Sequence, residues 1–417
     1  MTRSLTLIPP DLSSLDAALE EMRGRAGDRH LAITDHLNLP AVGEAVRKHG
    51  PQSQAKQDGN SPDIVVIWEA DGERLGRHLM EFLDRDNLHI IAPETERAGL
   101  GKAIFPISPP KAGTHLLLKL LESLGYRPGY SAVDHPQPGR WYYLEYLNAH
   151  TRASDFFVDT VRRSVHGNRL HPFGKMPSLF LYRNPLDVVV SESSYYHQEG
   201  KTIFSGYLAD LSTEERLLRL IDDPWLMGSI RDRMGAYAAW LDFPSVISVS
   251  YEELVGAQGG GDDKEQSDAI WSILLKLQLS GDVDAISGSI FDKNSPTFAK
   301  GRIGAYRDAF MPAAWDAFNA LNQDFMRQYG YATDGLFSDR RHERRRRPLR
   351  LDADLEFDTQ VVVDADYMGY FIGRQSGLYM AVPIGQSFSR SPERIDGSSL
   401  EEVKFRIGLA VTGGSGA

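Results

Sequence analysis

Residues 103–126, AIFPISPPKAGTHLLLKLLESLGY, decide the architecture. An apolar run ends at Ser108, two prolines stiffen its exit, and Lys111-Ala112-Gly113-Thr114 opens a strongly apolar helix. This is a strand feeding a helix through a tight loop, and the unit recurs. SLFLY (178–182) leads through Arg183-Asn184-Pro185 into LDVVVSESSYYHQ, and VISVS (246–250) leads through Tyr251 into EELVG. Strands and helices alternating in this order predict an α/β fold, a central parallel sheet flanked by helices. Ligands of such sheets sit at the carboxyl ends of the strands, where these loops would gather.

The first loop has the makings of an anion cradle. Helix N-termini present unpaired N–H groups and a positive dipole end. Gly113 lets the backbone approach an anion, Thr114 can cap the helix and donate its hydroxyl, and Lys111 adds a full charge. It is not the nucleoside-triphosphate loop, in which the lysine follows the glycine. Gly200-Lys201-Thr202, which does have that order, carries Tyr195 where the leading glycine belongs. In the second loop Asn184 suits a helix cap and Pro185 the first helical position. Arg183 stands at the strand end, where a guanidinium can clamp a phosphate with two hydrogen bonds. Asp187 reads as a complement to the helix dipole.

Composition narrows the chemistry. The 417 residues include no cysteine, which excludes disulfides, thiolate metal sites and a cysteine nucleophile. A net charge of −11 argues against general nucleic-acid binding, so a polyanionic substrate would need a local basic cleft. The start, MTRSLTLIPPDLSSLD, lacks a secretory pattern, and the apolar runs are too short and charged for a membrane helix. The expectation is a cytoplasmic protein with no transmembrane segment and an open oligomeric state.

Four regions follow. Residues 1–100 read as a mixed α/β accessory region, with a helix at DLSSLDAALEEMRGRAG capped by Ser13 or Ser14 and a strand at PDIVVIWEA. Residues 101–337 form the main domain. DRRHERRRRPLR, within 338–350, reads as a solvated basic linker, and 351–417 as a small β-rich C-terminal region. VGAQGGGDDKEQSD (255–268) reads as a mobile loop.

Together the loops resemble those of sulfotransferases that use 3′-phosphoadenosine 5′-phosphosulfate (PAPS). Pro110-Lys111-Ala112-Gly113-Thr114 is similar to their 5′-phosphosulfate loop, and Tyr182 to Ser191 to their 3′-phosphate motif. Phe298-Ala299-Lys300-Gly301-Arg302-Ile303-Gly304-Ala305-Tyr306 to Phe310 resembles their late R-K-G-x-x-G segment, and Ser248 to Leu254 the segment whose tyrosine flanks the adenine. His115 and Leu116 replace the second hydroxyl and the aromatic of the first loop; Ala299 and Tyr306 replace an arginine and a tryptophan. The resemblance, over residues 101–335, implies a P-loop-NTPase-like sulfotransferase fold with PAPS as donor, adenosine 3′,5′-bisphosphate (PAP) as product and no metal.

By that resemblance Lys111, Ala112, Gly113, Thr114, His115 and Leu116 surround the 5′ end of the donor. Arg183, Ser191, Lys300 and Gly301 hold its 3′-phosphate, and Tyr251 lies on the base. The general base is His171, in Arg169-Leu170-His171-Pro172, with His166 next and Glu145 as an alternative. The acceptor is a small molecule, a glycan or a lipid, and Trp141, Tyr142, Tyr143 and Tyr146 are either its platform or packing. The competing readings are a non-catalytic nucleotide-binding scaffold and a P-loop-related kinase.

Overall fold

The computed structural model describes residues 2–26, 32–49, 63–96, 98–129, 136–144, 148–153, 176–223, 228–290, 302–336, 340–351, 362–375, 378–384, 386 and 391–413. The first hundred residues build a parallel sheet of their own from β1 (Arg3–Ile8), β2 (Ile33–Asp35), β3 (Asp63–Val66) and β4 (Leu88–Pro93), in the order β1-β4-β3-β2. Gly281–Asp282 adds a short antiparallel edge beside β1. Alternation along β3 and β4 sorts the side chains by face. Ile64, Val66 and Ile91 meet Leu15 and Leu19 of α1 (Leu12–Ala26) and Val42 and Val46 of α2 (Pro40–His49). Val65, Leu88 and Ile90 meet Leu75 and Leu79 of α3 (Gly72–Met80). The α1 cap is Asp11, not Ser13 or Ser14: its carboxylate accepts the Ser14 N–H at 2.8 Å, and both serine hydroxyls donate to it.

The second sheet carries the site. Its strands β5 (Phe105–Ile107), β6 (Ser178–Tyr182) and β7 (Val246–Ser250) are parallel in the order β7-β6-β5. All five residues of the central strand β6 are buried, which explains the apolar run Leu179 to Tyr182 after Ser178. Phe180 and Tyr182 enter one hydrophobic cluster with Phe105, Ile107 and Leu186; Leu179 and Leu181 enter another with Ile247, Val249 and Leu117. The first cluster is covered by α5 (Pro185–Tyr195), the second by α4 (Thr114–Ser123) and α6 (Asp263–Leu277). The second cluster also holds Leu5, Ile90, Leu75 and Leu79, so residues 1–100 share a core with the site-bearing sheet. Buried Arg3 reinforces the joint through Asp268 of α6, 2.7 Å away.

The basic run is not a solvated linker. Arg340–Arg346 is a helix, α7, packed behind the sheet. Arg344 is buried, donating to the carbonyls of Gln328 and Tyr329, while Arg345 reaches Glu253 at 2.7 Å and Glu265 at 2.6 Å. Arg347 reaches Asp242 at 2.8 Å. Acidic groups far away in sequence thus turn a charge run into a clamp. Residues 255–268 do not form one long loop either. The Gly261 N–H closes onto the Gly256 carbonyl at 2.7 Å, and α6 starts two residues later, capped by Asp262. In the tail, Val362–Tyr367, Tyr370–Gln375, Leu378–Pro383 and Ile395–Gly397 pair antiparallel, followed by a helix at Leu400–Gly413 that the β-rich reading omits. Among the described residues no helix is long and apolar enough to cross a membrane.

Candidate active site

The exit of β5 and the start of α4 form a strained turn. Lys111 has φ +64° and Gly113 φ +111°, so two of three consecutive residues occupy left-handed backbone. Thr114 does not cap the helix. The cap position is Gly113, with no side-chain hydrogen bond, and the Thr114 hydroxyl reaches Ser108 Oγ at 3.3 Å instead. The first intrahelical bond at this end runs from Leu117 N–H to the Gly113 carbonyl at 3.1 Å. The N–H groups of Thr114, His115 and Leu116 lie ahead of it, at the positive end of the helix. The His115 side chain is exposed, and that of Leu116 packs against the core, so what Leu116 offers this turn is its amide.

Tyr251, at the end of β7, bridges this turn to the next. A Cβ on Gly113 would lie 2.6 Å from the Tyr251 ring, so only glycine admits the contact. The Arg183 guanidinium lies over the same ring, 4.4 Å from its centre. Gly113, Tyr251 and Arg183 therefore form one stack across the carboxyl ends of β5, β6 and β7. Lys111 is close enough to Arg183 to feel it. Burial, with Arg183 and Lys201 adding repulsion, pulls its ammonium down to about 8, while Glu192 pulls the other way. That ammonium sits 3.5 Å over the Tyr195 ring, and Lys201 lies over the same ring at 5.3 Å.

Arg183 is only 7% exposed, and its compensation is incomplete. One Nη donates to the Arg302 carbonyl at 3.0 Å, Asp187 is 3.8 Å away, and the buried Nε has no acceptor among the described residues. Asp187 is itself committed, accepting the N–H groups of Gly304 at 2.8 Å and Tyr306 at 3.2 Å. It does more than complement the dipole, since it fixes the late glycine segment beside the Arg183 turn. Ser191, one helical turn beyond Asp187 on the same face of α5, is half-buried. Asn184 caps α5 by accepting the Leu186 N–H at 3.0 Å, and Pro185 takes the first helical position, both as the sequence suggests. The Asn184 N–H donates to Glu252 at 3.0 Å; burial raises that carboxyl to about 7. Tyr306 turns its hydroxyl to the Asp334 carbonyl at 2.9 Å and packs on Phe310 and Trp315.

His171, His166, Lys300, Gly301, Glu145 and Tyr146 lie outside the described residues. A different histidine stands beside the first turn. The Ala149 carbonyl accepts the Ser108 N–H at 2.9 Å, which brings His150 to the end of β5. His150 Nδ1 is 2.8 Å from the Ser108 carbonyl, which can only accept, so Nδ1 carries the proton and Nε2 keeps its lone pair. Burial, and then the nearby Lys111 charge, hold this imidazole below the ordinary histidine range, although its bond to Ser108 opposes them. Nothing in LNAHTRAS marks His150, since no basic residue stands two before it and no proline follows it. Trp141 and Tyr142 are buried, Tyr142 against Gly129, and serve as packing.

No family model matches this sequence, and no curated protein does. Among solved structures, the mouse sulfotransferase SULT7A1 complexed with PAP is similar to this chain at a TM-score of 0.39 and 18% identity, over 61% of this chain and 90% of that one. A likeness of that size establishes neither family nor function.

Proposed function

We propose that this protein transfers the sulfuryl group of PAPS to a hydroxyl or amine acceptor, with a carbohydrate or lipid as the acceptor class. The observation that carries the reading is the Gly113–Tyr251–Arg183 stack, which sets two cationic turns side by side. A doubly phosphorylated nucleoside suits such a pair of cradles. The fit is supported by what each turn lacks: α4 has no side-chain cap, and the buried Arg183 Nε has no acceptor among the described residues.

PAPS, once bound, supplies a sulfuryl group on a phosphate leaving group. The chain's residues then divide the labour. The amides of Gly113 and Thr114 hold the 5′-phosphate, and Lys111 sets its charge where negative charge grows on the departing oxygen. Arg183 and Ser191, with Lys300 and Gly301, hold the 3′-phosphate. As the acceptor oxygen or nitrogen bonds to sulfur and the sulfur–oxygen bond to the 5′-phosphate breaks, His150 Nε2 takes the acceptor proton. His150 is assigned this role because it stands beside Ser108 and Lys111; His171 and His166, outside the described residues, remain the alternatives from the sequence.

Thermal unfolding with added nucleotide tests the donor. PAP at a hundred times its dissociation constant should stabilise the protein by about 2.7 kcal/mol without metal. Stabilisation by ATP with magnesium and none by PAP would favour the kinase reading and overturn this one. PAP binding without turnover on any acceptor would leave a nucleotide-binding scaffold.

A further inference from the structure

Away from the cleft, in the sheet of residues 1–100, two histidines and a carboxylate converge. His36 follows β2, its N–H held by the Val66 carbonyl at 2.9 Å. His78 lies in the last turn of α3, and Glu81 caps that helix three residues later. One Glu81 oxygen is 3.2 Å from His36 Nε2, the other 3.1 Å from His78 Nδ1. The two imidazoles meet edge-on, centres 5.4 Å apart at 76°, and the Phe82 ring supports His36 at 5.1 Å. One donor atom from each residue lies within 4.8 Å of the other two. All three side chains reach solvent, which provides an entry path.

We propose that His36, His78 and Glu81 form a binding site for a divalent transition-metal ion, zinc by ligand chemistry. Two imidazoles and one carboxylate suit zinc rather than magnesium or calcium, which prefer oxygen ligands. With no cysteine in the chain, any zinc site here must be built from nitrogen and oxygen. A tetrahedral ion with bonds of about 2.0–2.2 Å holds its ligand atoms roughly 3.3–3.5 Å apart. Each histidine already stands near that spacing from one or the other Glu81 oxygen, and small side-chain rotations draw one donor atom from each residue, now within 4.8 Å, onto a common ion. Solvent supplies the fourth ligand. The ion ties the segment after β2 to the end of α3 and so braces this sheet. The expectation that no metal is needed concerns sulfuryl transfer and not a structural ion held by the first sheet.

The test uses the full chain with any affinity tag removed, stripped by chelator and dialysed. Titration with zinc alone should reveal a single saturable site and a raised melting temperature. Titration with cobalt should give the visible absorption of four-coordinate cobalt bound to nitrogen and oxygen. His36→Ala, His78→Ala and the isosteric Glu81→Gln should each weaken binding at least about tenfold, with circular dichroism unchanged. Absence of uptake overturns the proposal. So does uptake with the same affinity in all three variants, because the ion would then reside at other histidines. PAP binding is read separately, so the two proposals fail independently.

Discussion

Two helices that each follow a parallel strand begin in opposite ways. At α3 the chain brings its own anion: Asp71 accepts the N–H groups of Glu73 at 2.9 Å and Arg74 at 2.8 Å. At α4 the corresponding place is Gly113, with no side chain at all, and the turn before it carries a lysine in left-handed backbone. A capped helix has satisfied its N-terminus and is closed to ligands. An uncapped one beside two basic side chains leaves its leading N–H groups open to an anion. Under the proposed function, the same β–α grammar yields scaffold in the first sheet and chemistry in the second.

The contrast is tested hardest at His150, the side chain hung on the Ser108 carbonyl at the open turn. His150→Ala should lower kcat by roughly 10²–10⁴-fold, the usual scale for a lost general base. Full activity in that variant, with loss in His171→Ala, would move the base to His171. The wild-type kcat/KM for PAPS, which reports the free enzyme, should follow a bell in pH. It rises as His150 loses its proton, below the ordinary histidine range, and falls as Lys111 loses its proton near 8. A kcat/KM still flat well above pH 8 would deny Lys111 a charged role.

Lys111→Ala comes next, with a loss of about 10²–10³-fold in turnover and PAP binding partly kept. Arg183→Lys keeps a cation but loses the planar fork. It should weaken PAP by about 10–100-fold, the worth of charge-assisted hydrogen bonds of ~1.5–3 kcal/mol, while binding of nucleotides without a 3′-phosphate changes little. At the closed turn, Asp71→Ala should lower the melting temperature by a few degrees and leave turnover unchanged. A loss of turnover there would erase the distinction between the two helices.

Much of the scaffold was readable because it is local. Strand, tight turn and apolar helix recur over short windows, and Asn184-Pro185 announces its helix start by backbone chemistry alone. What escaped was long-range. Asp187 looks like an ordinary first-turn acid until Gly304 and Tyr306, more than a hundred residues on, present their amides to it. Arg344 and Arg345 read as solvated charge until the carbonyls of Gln328 and Tyr329 and the carboxylates of Glu253 and Glu265 meet them. His150 carries no motif, and its meaning lies in the neighbouring strand end. His36 stands some forty residues before His78, too far for any spacing rule to join them.

The most direct measurement is a crystal structure with PAP bound. The account predicts the 5′-phosphate on the amides of Gly113 and Thr114 with Lys111 beside it, and the 3′-phosphate on Arg183. A PAP molecule lying elsewhere, or with neither phosphate touching these two turns, would contradict it.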